Sequence, residues 1–342
     1  MATTVLITGA SGLIGFRILL AALASGYNVR YTVRSEEKAR VVSSNPAVQK
    51  LASVGDRLSA VIIPDFTAEG AFDSALQGVT HIIHAGSPVP VPTYDPTTQI
   101  FEPTVKISSG LLSSALKAPS VQRVLITSSI VANLGLTPPP TAVTAATRPP
   151  LPSPVPSTFG DVFEGYILGK VVELHNTDDF VKTHSPHFTV SHVIPGYVFG
   201  RNELALDAVM MQTQNSSNNF LMMGLVGGEL PFPIHGSFVH IDDLADFHMR
   251  VLSLEPKAGD PVDFAIATKV DYGTIFDHAE KAFPQAVASG VLKRGKVPTL
   301  PVEYDTKSSY AEKLLGRKLK SFESAVEDVA AQYLEKLGRE KA

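Results

Sequence analysis

The sequence predicts an α/β fold: a doubly wound parallel sheet with helices on both faces, followed by a smaller C-terminal substrate-binding cap. Three observations point to it. Short apolar runs of strand character alternate with helical stretches through residue 195, with short connections, the pattern of a parallel sheet covered on both sides. A glycine-punctuated turn joins the first strand to the first helix. After Gly200 the alternation fades into a region with two methionine pairs, several prolines and a last amphipathic helix.

Taken in order, residues 5–7 (Val-Leu-Ile) read as a buried strand, and 13–25 as an apolar helix ended by Gly26. Strands follow at 29–33, 61–63, 81–84, 124–127 and 189–194, with helices near 72–77, 102–117 and 166–182. Between Pro138 and Pro156 stand eight prolines, which forbid regular helix and central strand. This stretch reads either as a surface excursion or as a flap over a substrate cleft. Beyond Val262 comes another strand. The final helix carries Phe322, Val326, Val329, Tyr333 and Leu337 at helical spacing. The segment 238–246 reads as a turn-to-helix element that returns to the large domain. The expected division is 1–195 with 237–268 for the sheet domain, and 196–236 with 269–342 for the cap.

Composition narrows the function classes. With 44% apolar and 18% charged residues, the chain suits a globular protein with a sizeable core. A net charge of −4 without a basic run argues against nucleic acid or an anionic membrane surface as partner. The absence of cysteine excludes disulfides, thiolate zinc sites and thiol nucleophiles. The first strand begins too early to leave room for a charged leader region. The apolar run 13–24 is broken by Arg17 and too short to span a bilayer, so a cytoplasmic location is expected. No metal is expected. His81 and His84 lie three apart on a strand and so face opposite ways, and no H-E-x-x-H occurs. Asp242-Asp243, at a helix start, reads as a capping and surface pair. The absence of G-x-S-x-G removes the simplest serine-hydrolase reading.

The turn is Thr8-Gly9-Ala10-Ser11-Gly12-Leu13-Ile14-Gly15. A dinucleotide pyrophosphate requires backbone approach without an obstructing Cβ, and a helix N-terminus whose free N–H groups face the phosphates. Glycines at 9 and 12 serve the turn and the approach, and Gly15 lets the helix pack on the sheet. The spacing is G-x-x-G-x-x-G, in the strand-to-helix context that gives such a motif its meaning. Some twenty residues on, an NAD site would offer an acid to the ribose hydroxyls. Here the second strand ends in Val33-Arg34-Ser35, with Lys38 one turn later. A guanidinium can stack on adenine and pair with a 2′-phosphate, and Lys38 adds a second charge. The pair favours NADP(H), although Glu36 and Glu37 lie between them.

Tyr166-Ile167-Leu168-Gly169-Lys170 is a Y-x-x-x-K pentad. On a helix its two ends share one face. An ammonium beside a phenol stabilises the phenolate and lets it exchange a proton near neutral pH. Ser128-Ser129 closes the preceding strand, at the carboxyl edge where open α/β sheets bind ligands.

With these motifs the chain resembles an extended short-chain dehydrogenase/reductase of the dihydroflavonol reductase-like branch, which includes fungal and yeast carbonyl or aldehyde reductases. The resemblance runs through T-G-A-S-G-L-I-G at 8–15, T-V-R-S-E-E-K at 32–38, Asp65-Phe66, H-A-G-S-P at 84–88 and I-T-S-S at 126–129. It continues through the pentad, I-P-G-Y-V-F-G at 194–200 and F-V-H-I-D-D-L-A-D at 238–246. It implies a Rossmann-type sheet and roles for particular residues. Tyr166 is the implied proton donor, Lys170 the partner of the nicotinamide ribose and of Tyr166, and Ser129, rather than Ser128, the hydrogen-bond donor to the substrate carbonyl. Gly9, Ser11, Gly12, Leu13, Ile14 and Gly15 surround the phosphates. Arg34 and Lys38 hold the 2′-phosphate, and Asp65 and Phe66 meet the adenine. Ala85, Gly86, Ser87 and Thr127 line the cofactor, and Pro195, Gly196 and Val198 lie near the nicotinamide amide. Many relatives carry a relay asparagine in the helix before the serine strand. The stretch 102–117 has none, and Gly110 stands in that place.

The function so implied is NADPH-dependent reduction of a ketone or aldehyde to an alcohol, on a small carbonyl substrate of apolar or aromatic character. Met210-Met211, Met222-Met223, Tyr197 and Phe199 suit such a pocket. The rivals are an epimerase that uses bound NAD transiently and a non-catalytic NADP-binding redox sensor. Arg34 speaks against the first, and intact Ser129, Tyr166 and Lys170 against the second.

Overall fold

The computed structural model describes residues 3–51, 57–138, 142–255, 262–304 and 308–339. The chain forms two compact units, Met1–Ile194 with His248–Ala265, and Pro195–Phe247 with Ile266–Ala342. Residues 139–141 of the proline-rich stretch lie outside the described residues.

The first unit runs β1 (Thr4–Thr8), α1 (Leu13–Ala24), β2 (Asn28–Val33), α2 (Glu36–Ser43), α3 (Pro46–Gln49), β3 (Leu58–Ile62) and β4 (His81–His84). It continues through a π-helical turn (Pro96–Phe101) into α4 (Glu102–Leu116), then β5 (Arg123–Thr127), α5 (Val131–Leu134), α6 (Val162–His184) and β6 (Thr189–Pro195). The second unit runs β7 (Tyr197–Phe199), α7 (Ala208–Thr213), α8 (Asn218–Leu225), β8 (Ile234–His235), β9 (Ser237–His240) and the start of α9 (Ile241–Leu252). The chain returns to the first unit within α9 and reaches β10 (Phe264–Ile266). It then completes the second unit with β11 (Thr268–Lys269), α10 (Ile275–Ala282), α11 (Pro284–Ala288), β12 (Thr299–Leu300), α12 (Ser308–Leu315) and α13 (Phe322–Lys336).

The expected sheet is present: seven strands in the order β10-β6-β5-β4-β1-β2-β3, with parallel pairing from β3 through β6. Its central strands are near-continuous apolar runs because both faces are covered. Val5, Leu6, Ile7, Ile82, Ile83, Val124, Leu125 and Ile126 are all fully buried. On one face Leu6, Ile82, Val124 and Ile126 pack with Ile107, Leu111 and Leu112 of α4. Elsewhere α1 buries Phe16, Ile18, Leu19 and Leu23. The order reverses between β1 and β4, so the carboxyl ends of these strands form a topological switch point, where open sheets bind ligands.

Three elements differ from expectation. Residues 72–77 form no helix. They run through successive turns, with Asp73 N donating to Gly70 O and Val79 N to Leu76 O, between Gly70 and Gly78 at positive φ. Left-handed glycines on either side interrupt helical geometry, yet Phe72 and Leu76 still reach the core. Residues 237–247 and 266–268 fall in the second unit, not the first. The reason is pairing: β9 lies beside β7 and antiparallel to β11 in a separate three-stranded sheet. Leu337 lies beyond α13 as its C-cap and is 39% exposed, whereas Val326 and Val329 are fully buried.

Asp243 is also not a surface residue. It is fully buried and accepts hydrogen bonds from Arg317 and from the Lys320 amide at 2.6 Å. In the second unit Met211 and Met222 belong to the core with Phe199, Phe238 and Tyr272. No helix among the described residues is long and apolar enough to cross a membrane.

The proline-rich stretch is pinned beyond residue 142. Asn133 donates to Ala145 O and Thr147 O at 3.3 and 2.8 Å, and His175 contacts Pro149 O at 2.8 Å. Arg148 forks between Asp178 and Asp263, both at 2.6 Å.

Candidate active site

The glycine turn after β1 is shaped by the loop after β4. Gly9 has φ +74°, and a Cβ there would lie 2.6 Å from Gly86 Cα. A Cβ on Gly86 would in turn lie 2.9 Å from Gly9 N. Neither position accepts a side chain, because the obstruction is backbone. Gly12 caps α1 without a side-chain partner, and the first turn holds no acid. The turn therefore fits a dinucleotide pyrophosphate: bare backbone beside a helix N-terminus that favours an anion.

A buried polar chain stands behind this turn. Gly86 N donates to Thr8 Oγ1 at 3.2 Å, and Thr8 Oγ1 lies 2.7 Å from His84 Nδ1. Either atom of the Thr8–His84 contact can donate, according to the imidazole tautomer. Burial pulls the His84 pKa down to about 4, with Glu173 acting in the opposite direction and Lys170 in the same one. Unfolded, this histidine takes up a proton near pH 6.5. Between pH 6.5 and about 4 the unfolded chain thus holds more protons, and stability falls as the pH is lowered. The loss is at most about 3 kcal/mol. Urea midpoints at pH 7 and pH 5 measure it, and His84→Asn flattens this part of the profile.

At the end of β2, Arg34 and Lys38 are exposed. The Arg34 guanidinium lies 5.6 Å above the Phe66 ring, which stacks on Phe72 at 5.7 Å. Ser35 caps α2 by accepting from Lys38 N. Asp65 Oδ1 accepts from Thr67 N and Thr67 Oγ1 at 2.8 and 2.6 Å. These bonds, with Arg34 nearby, hold its carboxyl below the usual range. Four of the expected adenosine-end residues thus stand around one edge of β2 and the turn after β3.

Asp161 caps α6 by accepting from Phe163 N and Glu164 N. The helix approaches the π-helical turn so closely that a Cβ on Gly165 would lie 2.6 Å from Pro96 O. Tyr166 is half-buried, while Lys170 is 2% exposed. Lys170 Nζ donates to Glu173 Oε2 at 2.7 Å, in an ion pair that is almost wholly buried. Ser128 and Ser129 follow β5 and precede α5, which packs against α6. Ser129 Oγ is half-buried and accepts from Val131 N at 3.4 Å, whereas Ser128 is buried.

The remaining expected contacts divide. Ser87 Oγ lies 3.5 Å from Thr104 Oγ1. The Thr127 hydroxyl is engaged by His248 Nε2 at 2.9 Å, which gives it a structural partner. Pro195 ends β6, and Gly196 and Val198 belong to the second unit, where Val198 is buried. Sequence reasoning missed Thr8, His84 and Glu173. Glu173 was within reach, since it lies three residues from Lys170 on one helix face. It also missed that His240, Asp242 and Asp328 bring ligand atoms within 4.8 Å of one another, because Asp328 is distant in sequence. Asp242 there pairs with Lys320 at 2.5 Å.

Residues 5–157 match the NAD dependent epimerase/dehydratase family. The ketoreductase CTB6 of Cercospora nicotianae is 34% identical over 347 residues, covering 97% of this chain and 95% of that one. The NAD-dependent epimerase/dehydratase ALT6 of Alternaria alternata is 35% identical over 350 residues, covering 96% and 97%. The crystal structure of yeast methylglyoxal/isovaleraldehyde reductase Gre2 complexed with NADPH shares the fold, with a TM-score of 0.80 over 98% of this chain and 100% of that one at 23% identity. Motifs, sheet order and full-length similarity agree, and the chain belongs to the NAD dependent epimerase/dehydratase family, the extended short-chain dehydrogenases/reductases.

Proposed function

We propose that the protein reduces a ketone or aldehyde to an alcohol with NADPH, and that Tyr166 supplies the proton. The observation that carries this reading is the arrangement on α6: a half-buried Tyr166 one turn from a buried, charge-paired Lys170, on a helix packed against the segment that follows Ser129. The name of the ketoreductase relative supports the same reaction type. The dinucleotide supplies the hydride when bound. Ser129 and Tyr166 hydrogen-bond the carbonyl oxygen, and Tyr166 Oη gives it a proton as negative charge develops. Groups aimed at that oxygen act mainly on the transition state. Lys170 holds the ribose and keeps Tyr166 oriented. The glycine turn binds the pyrophosphate, and Arg34 and Lys38 bind the 2′-phosphate.

The substrate class is a medium-sized, largely apolar or aromatic carbonyl compound. Support comes from Tyr197 and Phe220 of the second unit, both partly buried, whose rings meet edge-on at 5.7 Å. The test is oxidation of NADPH by purified protein with a panel of aliphatic and aromatic ketones and aldehydes, with sugar nucleotides and acyl-CoA thioesters alongside. Turnover of the apolar carbonyls is expected. Turnover of the sugar nucleotides or thioesters alone overturns the substrate class.

A further inference from the structure

We infer that Glu173 is a positioning residue that resupplies protons to Lys170 from an open groove between α4 and α6. The inference rests on the reductase reading above and extends it. Reduction of a carbonyl consumes one proton per turnover, so the Tyr166 phenolate has to be reprotonated each time. The α4 stretch 102–117 offers no asparagine for this. His84 is no proton source either, because it is buried and neutral, with its Nδ1 held by Thr8.

Glu173 has the placement that the task requires. One carboxylate oxygen bonds Lys170 Nζ at 2.7 Å. The other, Oε1, is buried and has no hydrogen-bond partner among the described residues. A buried carboxylate with one oxygen unsatisfied is costly to retain for structure alone. Glu173 also lines a cleft of 280 Å³ whose walls include Ser108, Ser109 and Leu112 of α4 and Asn176, Thr177 and Phe180 of α6. Along α6, Tyr166, Lys170, Glu173 and Thr177 succeed one another at three- and four-residue steps, so they form one stripe. Thr177 Oγ1 donates to the Glu173 carbonyl at 2.9 Å and ties the next turn to it. The stripe begins at the reacting phenol and ends at Thr177 on the wall of the groove.

The proton balance closes. Tyr166 Oη loses its proton to the substrate oxygen, and the phenolate takes one from Lys170 Nζ. The Lys170 amine takes one through the Glu173 carboxylate, which draws it from water in the groove. One solvent proton enters per alcohol formed, and the Lys170–Glu173 pair returns to its starting charge.

Three variants test this: Glu173→Gln, Glu173→Ala, and Glu173→Ala combined with Lys170→Met. Glu173→Gln keeps size and contact but removes the basic oxygen. It is expected to lower kcat by at least about 10-fold while the KM for NADPH changes less than about threefold. Glu173→Ala opens a space for formate at the groove floor. Added formate is expected to raise its kcat, and to raise the Tm of the unliganded protein by about 2–4 °C. The unliganded double variant, which has no buried ammonium to pair, is expected to show no such rise. Glu173→Gln with kcat within twofold of the unaltered protein overturns the relay, whatever formate does to Tm. An equal formate effect on the double variant overturns the pairing. If the unaltered protein turns over no carbonyl, the reductase reading fails and the relay with it, while the Tm arm still reports whether Glu173 pairs Lys170.

Discussion

Tyr166→Phe is expected to depress kcat by about 10²- to 10⁴-fold, the range for a lost general acid, while NADPH binds with nearly unchanged affinity. The substitution keeps the ring that packs α6 and removes only the hydroxyl, so folding is expected to persist. Comparison with Lys170→Ala separates the two roles, since that change is expected to harm cofactor affinity as well as turnover. It also leaves Glu173 as a buried carboxylate without its cation, which adds a stability loss that Tyr166→Phe lacks. Ser129→Ala is expected to lower kcat/KM more than Ser128→Ala. Near-normal turnover by Tyr166→Phe at saturating NADPH and carbonyl would reduce Tyr166 to a packing residue and end the proposed mechanism.

The second large effect concerns the cofactor. Arg34→Ala with Lys38→Ala removes two exposed cations from the end of β2 and is expected to weaken NADPH by about 2–4 kcal/mol, after discounting for exposure. That is about 30- to 1,000-fold in Kd. NADH, which carries no 2′-phosphate, is expected to lose far less. Arg34 already stands over Phe66, so part of its loss is the cation over that ring. Fluorescence titration with both dinucleotides measures the difference. Equal affinity of the unaltered protein for NADPH and NADH would refute the assignment.

The sheet was legible because its signals are local. Val5-Leu6-Ile7 and Ile82-Ile83 announce buried strands, and Gly9, Gly12 and Gly15 announce the turn, in which a side chain at 9 or 15 would strike backbone. The second unit was less legible. Four residues at 237–240 carry no mark of which distant strands they will pair with, and they join β7 and β11 rather than the large sheet. The run at 72–77 has helical apolar spacing, but the flanking glycines set its turns. Tyr166 and Lys170 were readable from their spacing. Glu173 reads by composition as an exposed position and becomes internal only when α4 packs against α6. His84 shows in the sequence only as a strand histidine without a metal partner, and its link to Thr8 depends on two parallel strands lying in register.

Arg148 bridges parts of the chain that folding must bring together from afar. It joins Asp178 on α6 to Asp263, which lies 115 residues beyond Arg148 in sequence, and Asp263 also binds His192 on β6 through Nδ1 at 2.9 Å. In a protein with no cysteine, this fork is a cross-link that no reductant or oxidant can open or remake. Its vulnerability is to acid. Burial alone would raise the Asp263 pKa, but His192 and then Arg148 bring it down to about 2. The bridge is therefore intact above the ordinary carboxylate range and weakens only as the pH falls from about 3.8 toward 2. Redox stress leaves the anchorage of the proline-rich segment untouched, and mild acid reaches His84 long before it reaches this clasp.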